Sequence, residues 1–248
     1  MIFQQVRFKL LLYSVIRKIL VCISLLTLFF PEPIFSNDNK IIKDILLPRY
    51  CPPKRKNHSA RIVSGMRGDN EKLPVCTVLA PEDFGITINA SPVLYWYISK
   101  LWNKKIIFAV NNIESMETIF EHKIIVKKIG IQKIDLSKYN VNLEYNKQYE
   151  WNIALICNQN QPSQDITTGG IIIRKKISQK LQEKLKITGK MRHYIFAEEG
   201  IWYEAIHAIS SLIESDPNNF FYRNQRAYLF DQVNLREAAE YDRNLKNE

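Results

Sequence analysis

Along the chain the spacing of apolar positions changes twice. Residues 19–30 are an almost unbroken apolar run, residues 75–177 carry short apolar runs separated by turn residues, and from residue 178 the apolar positions recur every three to four residues. Short bounded runs are the rhythm of strands, and the three-to-four spacing is that of helices. Strands are predicted over residues 75–80, 93–98, 105–111, 123–128, 148–157 and 170–177, with further strands over 85–89 and 129–136. In Val93-Leu94-Tyr95-Trp96-Tyr97-Ile98 both faces are bulky, which predicts a central strand covered on each side. Trp151, Ile153 and Leu155 alternate with polar or small residues and share one face. Turn signals at spacings of about ten residues fit an antiparallel, immunoglobulin-like β-sandwich, with a small barrel as the alternative.

In the helical part, Ser178 is an N-cap for residues 179–185, and Gly189 separates that helix from residues 192–198. Gly200, Trp202, Ala205 and Pro217 then stand at the relative positions of the second helix of a tetratricopeptide-type hairpin. A shift of 34 residues gives a weaker copy, with Asn234 for the glycine, Arg236 for the aromatic residue and Ala239 for the crossing alanine. Its first helix is predicted over 220–232. Two units cannot close a solenoid core alone, so Trp202, Ile206, Ile209 and Ile213, one helical stripe, are expected to dock on the sandwich. The expected fold class is therefore α+β, a sandwich over residues 73–177 followed by helical hairpins over 178–248. Residues 37–72, with Pro48, Pro52 and Pro53, read as a flexible lead-in.

Arg7, Lys9, Arg17 and Lys18 precede the first apolar run, which is short for a membrane span, and Pro31 and Pro33 follow it. Residues 1–36 thus read as a secretory signal peptide cleaved after Ser36, with an uncleaved N-terminal anchor as the alternative. The expected address is periplasmic or extracellular. Removing that segment lowers the net charge from +10 to +7. The excess favours an acidic protein patch, an acidic wall polymer or a membrane surface, and export excludes nucleic acid. Only Lys54-Arg55-Lys56 forms a local basic cluster; elsewhere the lysines read as a solvated surface.

The search for chemistry gives no catalytic, metal-binding or cofactor-binding residue. His58, His122, His193 and His207 have no second histidine or cysteine at metal-ligand spacing. Glu204 and His207, three apart, read as a surface pair. Gly169-Gly170 precedes a strand and cannot be a phosphate loop, and Ser64-Gly65 and Ser91-Pro92 read as turns. A non-enzymatic binding or scaffold protein contacting another envelope protein is the expected function, through a concave helical face or an exposed sheet edge. The alternative is a saccharide or cell-wall polymer module using Tyr95, Tyr97 and Trp102 as an aromatic platform, with core packing as their other role. A hydrolase of unknown type is the second alternative.

The order of Arg67-Gly68, Thr77-Val78-Leu79-Ala80-Pro81-Glu82, Thr87, Ser91-Pro92 and Leu94-Tyr95-Trp96-Tyr97-Ile98 is followed by Tyr149-Glu150-Trp151, Cys157 and Gly200-Ile201-Trp202-Tyr203-Glu204-Ala205. Over about residues 60–240 this resembles the DUF928 family of exported cyanobacterial proteins. The resemblance implies an exported protein with no assigned catalytic residue or cofactor. The chain departs from it after Arg67-Gly68, where Asp69 and Asn70 stand in place of the family's cysteine. Beyond the signal there are three cysteines, Cys51, Cys76 and Cys157, in a compartment where disulfides persist. Cys76 and Cys157, both at predicted strand ends, are the expected disulfide; the alternative is three reduced thiols.

Overall fold

The bulky segment at residues 93–98 becomes the middle of a small sheet. In the computed structural model, which describes residues 47–53, 62–64, 73–158, 161 and 164–245, strand β4 (Val93–Ile98) lies between β2 (Cys76–Val78) and β7 (Gly130–Asp135), antiparallel to both. Every β4 residue after Val93 is buried. Alternation sends Tyr95 and Tyr97 to one face and Trp96 to the other. Tyr95 and Tyr97 meet helices, through His207 and Tyr241.

The larger sheet is built on three long strands, β5 (Ile106–Asn112), β8 (Gln148–Leu155) and β9 (Ile166–Arg174), in the order β1-β9-β8-β5-β6. Strands β1 (Ile62–Ser64) and β3 (Gly85–Thr87) share the far edge of β9, the first antiparallel and the second parallel. The opposite edge is β6 (Glu117–Ile124), whose residues are almost all exposed. Val78 and Ala80, from and just beyond β2, lie over Gly170 of β9, where a Cβ would come within 2.6 Å of the Ala80 Cβ. The two sheets therefore pack closely at this point, and of the glycine pair read from sequence it is Gly170 that serves the contact.

Five helices follow: α1 (Gln179–Ile187), α2 (Arg192–Glu198), α3 (Trp202–Ser215), α4 (Phe220–Asp231) and α5 (Arg236–Asn244). Ser178 caps α1 through its side chain, which accepts from the Leu181 amide. Helices α2 and α3 pair, as do α4 and α5, and α3 also lies against β3 and β4. Trp202, Ile206, Ile209 and Ile213 are all buried. The Trp202 indole donates to the Leu79 carbonyl at 2.8 Å. Tyr203 accepts from the Trp151 indole at 2.9 Å and donates to the Ile171 carbonyl at 3.2 Å, so α3 is hydrogen-bonded to the larger sheet as well.

The two hairpins repeat at the level of single hydrogen bonds. Gly200 N–H donates to Ala197, Ile201 to Phe196 and Ala205 to Ile201; 34 residues on, Asn234 donates to Asp231, Leu235 to Phe230 and Ala239 to Leu235. Gly200 and Asn234 are both left-handed, at φ 72° and 57°. Ala205 and Ala239 are both fully buried.

Three sequence expectations are corrected here. The strand placed at 123–128 runs instead from Glu117 to Ile124, because an exposed edge strand carries no apolar alternation to mark it. Part of the lead-in is pinned: Cys51 N–H donates to the Ala197 carbonyl, Gln232 holds both the Tyr50 amide and the Pro48 carbonyl, and Ile62–Ser64 adds to the larger sheet. The disulfide is absent, since Cys51, Cys76 and Cys157 are free thiols. Cys76 begins β2 opposite Ile98 in the small sheet, whereas Cys157 follows β8 in the large one, with its amide held by Asp165. Strand ends in different sheets gave no pairing, and burial pushes the Cys76 thiol up to about 12. The signal segment lies outside the described residues, and among the described residues no helix is long and apolar enough to cross a membrane.

Candidate functional site

The free edge of the small sheet is where the two kinds of structure meet. Strand β7 pairs with β4 alone among the described strands. Its residues Ile131, Gln132 and Lys133 form one wall of a cleft of about 600 Å³. The other walls are Ser210, Ile213 and Glu214 of α3, Pro217 beyond it, Arg223 and Arg226 of α4, and Tyr241 and Leu245 from α5 and its end. Lys128 stands at the entrance of β7, and Tyr95 forms part of the floor.

Four cations and one carboxylate thus line the cleft. Arg226, almost fully buried, donates from Nε and Nη2 to both oxygens of Asp242 at 2.7 Å and from Nη1 to Ser210 Oγ at 2.9 Å. Asp242 lies behind the wall, fully buried, with Arg223 Nη1 at 3.8 Å. A buried carboxylate held by a planar fork is costly to break, so this pair fixes the guanidinium in place. Lys133 bridges to Glu214 at 2.7 Å, where both side chains are half exposed. Even counting Asp242 the site keeps an excess of two positive charges. The Tyr95 hydroxyl is 3.0 Å from His207 Nδ1. Burial raises the Tyr95 pKa, with Glu214 adding to the effect, and burial lowers that of His207, reinforced by Lys133.

Tyr95 and Tyr97 are buried beneath α3 and α5, so they cannot form the saccharide platform read from sequence. The helices that α-helical spacing placed after residue 178 cover the very face on which those rings stand. Trp102 sits apart in the loop after β4, half-buried, with Lys104 Nζ 5.5 Å from its ring centroid. Of the hairpin residues, Gly200, Trp202 and Ala205 are buried packing elements, and Pro217 rims the cleft.

Glu204 and His207 are not a surface pair. Glu204 Oε1 accepts from the Thr87 hydroxyl at 2.6 Å and from the amides of Ile88 and Asn89, clamping the chain after β3. Its Oε2 is buried with no hydrogen-bond partner among the described residues. Burial holds this carboxyl above the usual carboxylate range, although its hydrogen bonds pull the other way. His193 is likewise buried, 3.0 Å from Gln225 Oε1, with its pKa lowered to about 4 by burial.

Sequence reasoning missed Arg223, Arg226, Ser210 and Asp242. Arg226 and Asp242 stand on two successive helices, so their pairing depends on how those helices pack and not on a spacing within either one. The one available signal was an arginine inside the apolar pattern of 220–232, at a position that faces the core. Among the described residues no group of three or more His, Cys, Asp or Glu side chains gathers to hold a metal ion.

These features define an α+β protein with two sheets, C-terminal helices and a basic cleft between them. The chain belongs to the DUF928 family, a Domain of Unknown Function, whose match spans residues 62–242. No curated protein matches the sequence. Among solved structures, a DUF3244 family protein with an immunoglobulin-like β-sandwich fold from Bacteroides vulgatus is similar at 10% identity, covering 34% of this chain and 84% of that one, with a TM-score of 0.22. A multi-domain immunophilin from Arabidopsis thaliana aligns at 8% identity over 77% of this chain and 97% of its own, with a TM-score of 0.15. At those scores neither likeness bears on the architecture.

Proposed function

We propose that this chain is an exported, non-enzymatic binding protein that takes an acidic, extended segment of another envelope protein along β7. The observation that carries the reading is the cleft itself, where an unpaired strand edge runs beside Lys128, Lys133, Arg223 and Arg226 with a single lining carboxylate. A strand edge binds extended peptides through main-chain hydrogen bonds, and the guanidinium and ammonium groups select acidic side chains. Export is supported by the basic and then apolar start of the sequence.

In this reading the two sheets form an immunoglobulin-like sandwich and α2 to α5 form two tetratricopeptide-type units. The 34-residue recurrence of three backbone hydrogen bonds, of the left-handed residue and of the buried alanine supports the second identity.

The test is titration calorimetry of the full chain with a hexapeptide alternating valine and glutamate, beside its valine–lysine counterpart. The acidic peptide is expected to bind at least about tenfold more tightly, with affinity falling as salt rises. Arg223→Gln and Lys128→Gln are each expected to weaken it several-fold. Equal binding of the two peptides, or binding indifferent to salt and to both substitutions, would overturn the proposal.

A further inference from the structure

The larger sheet ends at β6, which pairs with β5 alone among the described strands and leaves its other side open along Glu117–Ile124. An open edge of this length can take up a further strand, and proteins commonly block such edges with charged residues and bulges. Strand β6 carries both. Its register against β5 slips between Val110 and Asn111, so Ile119 stands out of the ladder, and the regular part of the edge is residues 120–124. Within that part Glu121 and Lys123 are exposed, and neither side chain has a hydrogen bond or ion pair to another described residue.

These two free charges are related by a simple symmetry. When two copies of one strand pair antiparallel within a continuous sheet, the two-fold axis is normal to the sheet and passes through a residue that faces its own copy. An axis at Glu121 would set two carboxylates against each other, and an axis at Lys123 two ammonium groups. An axis at His122 sets Glu121 opposite Lys123 of the second copy, Lys123 opposite its Glu121, and Phe120 and Ile124 opposite each other in the same way. Alternation keeps each pair on one face: Phe120, His122 and Ile124 on the side where Phe120 meets Phe108 and Tyr139, Glu121 and Lys123 on the other.

We infer that β6 is the edge through which two copies of this chain pair, antiparallel and centred on His122, so that their larger sheets join into one. Opposite charges and aromatic–β-branched pairs directly across a sheet are stabilising, whereas like charges there are not, and the two-fold counts every pair twice. The charges that repel the adjoining two-fold registers therefore select this one. A foreign strand would need the same charges in the same order, which a second copy supplies by construction. Five residues a side make a small contact, so the dimer is expected to be one that forms and dissociates with concentration. None of residues 120–124 lines the basic cleft along β7, so this inference and the proposed function can fail separately.

The experiment is sedimentation velocity of the full chain at neutral pH, with a charge exchange at the two positions. The parent chain is expected to pass from monomer towards dimer over about 1–500 µM. Glu121→Lys and Lys123→Glu each turn both ion pairs into like-charge pairs and are expected to weaken association at least about tenfold. Both should leave the melting temperature unchanged, because each side chain is exposed and unpaired within the chain. Mixed in equal amounts, the two variants are expected to associate with each other about as strongly as the parent does with itself, since each supplies the charge that the other lacks. The double variant Glu121→Lys, Lys123→Glu is expected to dimerise on its own. A parent chain that stays monomeric throughout, association left intact by either single variant, a mixture no stronger than its components, or a double variant that stays monomeric would each overturn the inference.

Discussion

Two buried titratable side chains set opposite limits on stability. Glu204 has its folded pKa raised by burial, so its contribution is fully present below the ordinary glutamate value of about 4.3 and is lost as pH rises through the folded value. His193 has its pKa lowered from 6.5 to about 4, so its contribution is present above 6.5 and is lost as pH falls towards about 4. Glu204→Gln keeps an acceptor for Thr87, Ile88 and Asn89 and removes the ionisable oxygen that lacks a partner. The variant is expected to be more stable than the parent chain at pH 8 by denaturant unfolding, and the gap should close below pH 4. Parallel pH profiles for the two proteins would show that Glu204 ionises freely in the fold.

The connection from α2 to α3 depends on one glycine for two reasons. Gly200 is left-handed, and a Cβ there would lie 2.6 Å from the Cys51 carbonyl oxygen, which is backbone and cannot swing aside. Gly200→Ala is therefore expected to cost more than the ~1–2 kcal/mol of left-handed strain alone, because residues 50–53 must also shift. At the equivalent turn Asn234 already occupies this conformation, so Asn234→Gly, which gives up the side-chain bond to Glu82 but adds no strain or clash, should cost less. Thermal unfolding of the two variants checks the order, and an equal loss at both turns would contradict it. The sequence made this pair visible because Gly and Asn are the residues that accept positive φ, and their separation matches a known repeat. Strand β6 was misplaced for the opposite reason: it buries little, so its residues obey no apolar alternation.

Taken whole, the molecule is held together by contacts that sequence rhythm could suggest and by others that it could not. The change from strand to helix near residue 178, the central position of β4 and the docking stripe Trp202, Ile206, Ile209 and Ile213 were legible, since each follows from periodicity. The pinned 47–53 segment, the free thiols and the Arg226–Asp242 pair were not, since each depends on which elements come together in space, which periodicity does not report. The basic cleft belongs to this second class: its wall combines β7 with α3, α4 and α5, and its charge excess appears only after folding. The aromatic platform failed for a related reason, because the helices that create the cleft also cover Tyr95 and Tyr97.

The central claim, that an acidic partner segment lies along β7, is tested most directly by photo-crosslinking in cells from a reactive residue at Gln132, compared with one at the exposed turn residue Met116. Capture is expected from Gln132 alone, with the crosslinked stretch net acidic by mass spectrometry, and it should vanish in the double variant Lys128→Gln, Arg223→Gln. The same capture from Met116, persistence in the double variant, or a crosslinked stretch that is net basic would contradict the account.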